Sequence, residues 1–163
     1  MKMKCSRLLM ASVGFAIGTM VLPAMAKQTY RDAKGVVQWT AQAEGAKIVY
    51  RNAEGKVGGS AQKAPNGKVT YRNAEGIVKG IAQPEPNGKV TYRNAEGKVK
   101  GTAQKELNGK VTYRAKDGKV KGSAQIDGSG TTTYRNAQGN VAYVVQGEKT
   151  IADMGFIAFK LFE

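Results

Sequence analysis

The sequence predicts an all-β fold, an antiparallel meander of tandem β-hairpin repeats. Three observations predict it: a Tyr recurs every 20 or 21 residues, each unit carries two turn signals, and residues alternate between apolar and polar from one turn to the next. The repeated tyrosines are Tyr30, Tyr50, Tyr71, Tyr92, Tyr113 and Tyr134. Two short strands per unit give about twelve strands in all. A Gly or an Asn-Gly pair interrupts every candidate helical window, which argues against an α-helical repeat.

The two turn signals of a unit differ in sequence. Asn73–Gly76 and its counterparts read Asn-x-x-Gly, which favours a type I turn closed by a glycine in the left-handed region. Asn66-Gly67 and its counterparts read Asn-Gly, which predicts a two-residue type I′ turn whose central residues both have positive φ. Between these turns Val69 and Tyr71 share one face of a strand, and polar residues take the other.

One unit cannot fold alone. A buried large side chain contributes about 1.5–3 kcal/mol, whereas ordering each residue costs about 1–2 kcal/mol. The units must therefore stack, and small residues such as Gly101 and Ala103 leave room for a neighbour's Tyr. We expect a solenoid-like array of hairpins with Tyr and Val inside. A rolled sheet or a barrel is the alternative.

The two ends of the chain differ from the repeats at 27–147. Residues 1–26 have a basic start, an apolar run from Leu8 to Leu22 and an Ala24-Met25-Ala26 site, which together predict a cleaved secretory signal peptide. The protein is therefore expected to be secreted, periplasmic or at a bacterial cell surface, with no integral membrane span after cleavage. Residues 148–163 are predicted to be a C-terminal capping segment. Alternating apolar residues from Phe156 to Leu161 favour a final strand there.

Composition argues against most enzyme chemistry. The chain has no His, and its single cysteine, Cys5, lies in the predicted signal peptide. Acids in the turns, such as Glu75, follow an Arg by three residues, here Arg72, and are interpreted as solvated ion pairs rather than catalytic pairs. We expect no enzymatic activity, no cofactor, no metal and no small-molecule substrate.

Basic residues dominate the charge: 26 Lys and Arg against 12 Asp and Glu, a formal net charge of +14. They recur on the polar face of the Tyr strands, where stacking would align them as a ladder. The proposed ladder residues are Lys68, Arg72, Lys89, Arg93, Lys110, Arg114, Arg51 and Arg135. Such a ladder suits an anionic polysaccharide, lipopolysaccharide or extracellular DNA. The alternative interpretation is that these charges only keep an exposed face soluble.

The stretch NGKVTYRNAEGKVKGTA at 87–103 resembles two families of secreted repeats. Asn87-Gly88-Lys89, Tyr92, Asn94 and two later glycines are similar to the glucan- and choline-binding cell-wall repeats. Tyr followed by Arg-Asp or Arg-Asn, then Gly and a basic residue, is similar to the YD repeats of secreted shell proteins. The resemblance implies hairpin repeats at a cell envelope. It does not imply a choline cage, because each unit has one Tyr where choline-binding repeats use several aromatic residues.

These patterns favour a non-enzymatic, secreted or envelope-associated repeat protein with a structural or adhesive role, which binds an anionic polymer through the Lys/Arg ladder. The alternative is a self-assembling extracellular subunit of a biofilm or an amyloid-like fibre. Gln recurs in register, as self-association through side-chain ladders would require. The recurring residues are Gln42, Gln62, Gln83, Gln104 and Gln125. Like charges in every unit and the prolines near the strands oppose this alternative.

Overall fold

The computed structural model describes residues 27–146 and 155–162, so the predicted signal peptide and the whole segment 147–154 before the C-terminal helix lie outside the described residues. It contains twelve strands and one helix. The strands are β1 (Gln28–Arg31), β2 (Val37–Glu44), β3 (Lys47–Asn52), β4 (Val57–Lys63), β5 (Val69–Asn73), β6 (Val78–Pro84), β7 (Lys89–Asn94), β8 (Val99–Lys105), β9 (Val111–Ala115), β10 (Val120–Ile126), β11 (Thr131–Asn136) and β12 (Val141–Gln146). The helix, α1, spans Gly155–Phe162.

The strands form a closed barrel. Each strand pairs antiparallel with its neighbours in sequence, and β1 closes the sheet by pairing with β12, with Tyr30 opposite Val145. The predicted all-β antiparallel meander is confirmed. Its arrangement is the barrel alternative, not the solenoid-like array. Closure pairs both edges of every described strand. In an open array of short hairpins, the two end strands would each keep one unpaired edge.

Tyrosines fill the inside of the barrel, and small residues face them. Tyr92 on β7 lies opposite Ala82 on β6 and opposite Gly101 on β8, and is fully buried. The same register recurs around Tyr71 and Tyr113. A Cβ on Gly101 would lie 2.5 Å from the Phe162 ring, so only Gly fits there. The expectation that small residues leave room for the tyrosines is confirmed.

The two turn sequences fold into one backbone geometry. In the Asn-x-x-Gly turn, Gly76 N–H donates to Asn73 O (3.1 Å), and Gly76 has φ 81°. In the Asn-Gly turn, Gly67 N–H donates to Ala64 O (2.9 Å), and Gly67 has φ 82°. No residue other than glycine has positive φ in the described part of the chain, so the predicted type I′ turn is wrong. A type I turn followed by a left-handed glycine needs only one residue with positive φ, and Asn66 instead accepts a hydrogen bond from Lys68 N–H (3.1 Å).

The two ends of the barrel differ in strand register. We call the end that holds the turns after the odd-numbered strands the bulged end. There every hairpin has one extra residue on the even-numbered strand, so that Tyr92 faces Gly101 but Arg93 faces Val99. We call the opposite end, with the turns after the even-numbered strands, the regular end. Its hairpins keep an unbroken register.

A helix, not the predicted final strand, follows the barrel in the C-terminal segment. Phe156 stacks on Tyr50 at 4.1 Å between ring centroids, Phe159 contacts Tyr71 at 4.9 Å, and Phe162 contacts Tyr92 at 5.4 Å. Ile157 and Ala158 are also buried, so α1 lies across the barrel interior. The prediction of a strand was wrong because an apolar segment enclosed on several sides shows no polar face by which helix and strand periods could be told apart. The rest of the predicted cap, at 148–154 and 163, lies outside the described residues.

Candidate functional site

Arginines form a closed belt on the outer face of the barrel. Each follows the inward-facing Tyr of an odd-numbered strand and therefore points outward. The belt consists of Arg31, Arg51, Arg72, Arg93, Arg114 and Arg135. All six take the same place in their hairpins, across from the bulge on the next strand. Because the hairpins repeat around the barrel, the six arginines lie at one level of it. Alternate strands are about 10 Å apart, which sets the spacing of neighbouring arginines.

Arg31 completes the belt and was not among the predicted ladder residues. It is exposed on β1. In the closed barrel only β12 lies between β1 and β11, the strand that carries Arg135. The Tyr30-Arg31 pair repeats the Tyr-Arg sequence of the other units, so this signal was present in the sequence. The position became part of a ring only once the barrel closed.

The turns hold most of these guanidinium groups in place. Nη1 of Arg72, Arg93 and Arg114 donates to the carbonyl of the turn glycine four residues later, at 3.0, 3.0 and 3.1 Å. Arg31 and Arg135 make the same contact at 3.0 Å. The prediction that each Arg pairs with the acid three residues later is therefore wrong. The glycine carbonyl, which the tight turn aims outward, lies nearer to the guanidinium than the acid does.

Arg51 is the exception in the belt. Its Nη2 contacts Glu44 Oε1 at 2.9 Å, and its side chain is only partly exposed. An acid on the adjacent strand thus offsets its charge. The other five belt arginines are exposed, four of them on the side formed by β5 to β11 and the fifth, Arg31, on β1.

The predicted ladder lysines lie toward the regular end, separated from the belt. Lys68, Lys89 and Lys110 come four residues before the belt arginines, about 13 Å along the strand. Lys89 Nζ contacts Glu85 Oε2 at 3.1 Å, so the lysine row is partly neutralised. The Thr91 hydroxyl donates to Glu85 Oε1 at 2.5 Å and, with Lys89, holds the pKa of Glu85 below its ordinary value. The single predicted ladder is thus two rows, of which the arginine row carries more unpaired charge.

Three further lysines occupy the bulges. Lys79, Lys100 and Lys121 are the extra residues on β6, β8 and β10. Simple alternation predicts that Lys100 shares the outer face with Thr102, and this is wrong. The bulge changes the direction of the side chain, and Lys100 lines the mouth of the barrel beside Phe162.

A cavity of about 380 Å³ opens at this mouth between α1 and strands β3 to β8. Rings of α1 and of the barrel tyrosines form its floor, and Asn73, Asn94, Lys79 and Lys100 form part of its rim. A second cavity of about 360 Å³ adjoins it and shares Asn94, Lys100 and Phe162. The second cavity adds four charged side chains. They are Lys98, Lys116, Asp117 and Lys121.

Carboxylates in the turns serve the backbone. Asp32 accepts hydrogen bonds from the N–H groups of Val36 and Lys34, both at 2.9 Å, and these bonds lower its pKa. In Asp127 the Ser129 hydroxyl (2.6 Å) is the main cause of a lowered pKa, followed by the Thr131 N–H. A backbone bond from Lys119 lowers the pKa of Asp117 in the same way. These acids stabilise turns, as Asn does at equivalent positions.

Within residues 27–146 and 155–162 there is no group of three acidic, His or Cys side chains that could hold a metal ion. In the same part of the chain, no helix has the length and apolar character needed to cross a bilayer. No protein-family model matches the sequence, and no curated protein is significantly similar to it.

Proposed function

We propose that this protein is a non-enzymatic, secreted or envelope-associated binding protein with a structural or adhesive role. Its ligand is an anionic polymer, such as an acidic polysaccharide, lipopolysaccharide or extracellular DNA, and the arginine belt binds it. The observation that carries the proposal is the recurrence of an outward arginine at one level on every odd-numbered strand of a closed barrel.

The contacts of the arginines support a binding role. A guanidinium has five N–H donors, and the glycine carbonyl takes one from Nη1. Arg93 and Arg114 are exposed, and the bond to the glycine carbonyl already fixes the position of each side chain, so the remaining donors are available to a ligand. Fixing the side chain before binding lowers the entropy lost when it meets a phosphate, sulfate or carboxylate.

The spacing of the belt suits a polymer better than a small anion. Neighbouring arginines are about 10 Å apart, close to the Debye length of about 8 Å at physiological salt. A single small anion therefore interacts with one arginine at a time. A chain of anionic groups that follows the barrel surface meets several and releases a counterion at each.

The test compares two double variants that change the net charge equally. Arg93→Glu with Arg114→Glu removes two belt positions, and Lys63→Glu with Lys105→Glu removes two exposed lysines at the regular end. Binding of alginate and of a 20-base-pair DNA duplex is measured by fluorescence anisotropy over a salt series. The belt variant should bind about tenfold more weakly and lose about two units of salt slope, and the control should change little.

Equal losses in the two variants would show that net charge alone attracts the polymers. No binding by the natural sequence at low salt would overturn the proposal. Circular dichroism of each variant separates these results from unfolding.

Self-assembly stays the alternative proposal. Growth of a fibre by strand addition requires the barrel to open, because every described strand already has two neighbours. The recurring glutamines lie opposite Thr, Val or Lys rather than opposite one another; Gln104, for example, lies opposite Thr112 on one side and Lys89 on the other. Fibres that form with rising concentration and bind an amyloid dye would favour this alternative.

A further inference from the structure

The mouth of the barrel at the bulged end combines an aromatic floor with a lysine rim. Phe156, Phe159 and Phe162 are one or two turns of α1 apart, and their rings lie against barrel tyrosines. Lys79 and Lys100 stand at the opening of the same cavity of about 380 Å³. From this arrangement we infer that the mouth is a binding site for a small amphipathic anion, an apolar tail with a carboxylate or phosphate head group.

The bulges place the charge where such a head group would lie. If β6 and β8 alternated strictly, with no bulge at Lys79 and Lys100, these two lysines would lie on the outer face with Thr102 and the belt arginines. Gly58, Gln38 and Ala142 occupy the same bulge position on the other even-numbered strands. The lysines are therefore confined to three consecutive even-numbered strands, on the side of the barrel where the two cavities adjoin.

The floor supplies the apolar half of the site. Tyr50, Tyr71 and the α1 phenylalanines bound the cavity, and its volume lies within the range of about 300–1,000 Å³ that small ligands occupy. An apolar tail in the cavity would cover aromatic surface that is otherwise in contact with water. Asn73 and Asn94 at the rim add amide donors beside the lysines.

Charge at the mouth favours an anion over a neutral ligand. Lys79, Lys100, Lys116 and Lys121 line the two adjoining cavities, and Asp117 is the acid that lines them. Asp117 contacts Lys119 at 3.5 Å, so part of its charge is offset outside the cavity. Lysine is a point charge with three donors and can bind either a carboxylate or a phosphate oxygen.

Calorimetry with four probes tests the two halves of the site. Octanoate and octyl phosphate carry both halves, octanol carries only the tail, and inorganic phosphate carries only the head group. At monomeric concentrations, at least one of the two octyl anions should bind about tenfold more tightly than both octanol and inorganic phosphate. The tighter of the two identifies the head group. Equal affinity for octanol or for inorganic phosphate, or no binding of either anion, would overturn the inference.

Trp39 reports where the probe binds. It is the only tryptophan in the chain, it contacts Phe156 at 5.3 Å, and its ring lies against Gly58, which lines the cavity. Its emission should shift as the octyl anion saturates the site. An unchanged emission at calorimetric saturation would place the ligand elsewhere and overturn the inference.

Two charge-matched variants separate this site from the arginine belt. Lys79→Glu with Lys100→Glu should weaken octyl-anion binding about tenfold, and Lys63→Glu with Lys105→Glu, at the other mouth, should not. Arg93→Glu with Arg114→Glu should leave octyl-anion binding unchanged while it reduces polymer binding. Arg72 is left intact because it lines the cavity as well as the belt. Equal losses of octyl-anion binding in the two lysine variants would overturn the inference, whatever the polymers do.

Discussion

The two ends of the barrel have the same type of turn but differ in the register of the strands that the turns connect. Gly97 at the bulged end and Gly109 at the regular end have φ 79° and 81°, and both occupy the position that follows a type I turn. Only the bulged end has an extra residue in each hairpin. The bulge bends the even-numbered strand, which helps a short-stranded sheet to close.

This difference shows how a repeat can gain a second surface without losing its core. The bulge lies between the outward arginine and the inward Tyr-Gly pair, so Arg93 and Tyr92 keep their faces while Lys100 is turned toward the mouth. At the regular end, where register is unbroken, the acids Glu85 and Glu106 instead hydrogen-bond outward threonines, both at 2.5 Å. One end therefore concentrates cations at its mouth, and the other neutralises part of its charge.

The largest expected effect comes from filling the close contact beside a bulge. In Gly101→Ala the new methyl group would meet the Arg114 carbonyl on β9 and the Phe162 ring, and the carbonyl belongs to the sheet and cannot move freely. We expect a loss of about 3 kcal/mol in the free energy of unfolding, measured by urea denaturation.

Gly128→Ala at the regular end is the matched control. A Cβ there meets nothing within 4 Å, and Gly128 does not have positive φ. Its stability should stay within about 0.5 kcal/mol of the natural sequence. A similar loss in the two variants would contradict the close contact beside the bulge.

A smaller loss is expected when α1 loses an aromatic contact. Phe159→Ala removes a ring that packs against Tyr71 and Tyr92, and should cost about 2 kcal/mol because Phe159 is only partly buried. Leu107→Ala, a fully exposed apolar residue in a turn of the regular end, should cost nothing measurable. Equal thermal stability of Phe159→Ala and the natural sequence would show that α1 does not stabilise the barrel.

Local pattern was enough to predict the strands, the faces of Val69 and Tyr71, and the number of strands. It could not predict closure, because whether β1 meets β12 depends on twist and bulges summed over the whole sheet. The lysines of the mouth were missed for the same reason. A bulge breaks the two-residue period by one residue, and no residue type marks it, since Gln38, Gly58, Lys79 and Ala142 all occupy that position. The arginine row was predicted from its regular spacing, and Arg31 joined it only through closure.

A gain in stability is expected on the core side of the regular end. Thr132 is fully buried on β11, and its hydroxyl has no hydrogen-bond partner, whereas Val69, Val90 and Val111 occupy the equivalent position in earlier units. Thr132→Val should raise the free energy of unfolding by about 1 kcal/mol, because it removes an unpaired polar group at nearly constant shape. Thr133→Val, at the neighbouring outward and partly exposed position, should change stability less. Chemical denaturation of both variants checks this.

The shared turn predicts equal costs at the two ends. Gly97→Ala and Gly109→Ala each force a side chain into the left-handed region, where the penalty is about 1 kcal/mol. Thermal unfolding of the two variants should give the same loss within error. A loss confined to one end would show that the two ends differ in their turns as well as in strand register.

The smallest expected effect is a pH dependence at the regular end. The Thr91 hydroxyl and then Lys89 lower the pKa of Glu85 below its ordinary 4.5 in the folded protein. The stability that Glu85 confers is therefore fully present above about pH 4.5 and is lost as pH falls through the lowered folded-state pKa. Glu85→Gln keeps a carbonyl acceptor but no charge, so it should be slightly less stable than the natural sequence at pH 7, and the difference should vanish in acid. Urea denaturation at several pH values measures that difference, with Glu54→Gln, an exposed turn acid at the bulged end, as the control for charge. A difference that persists unchanged into acid would show that shape, not the ionised carboxylate, is what Glu85 contributes.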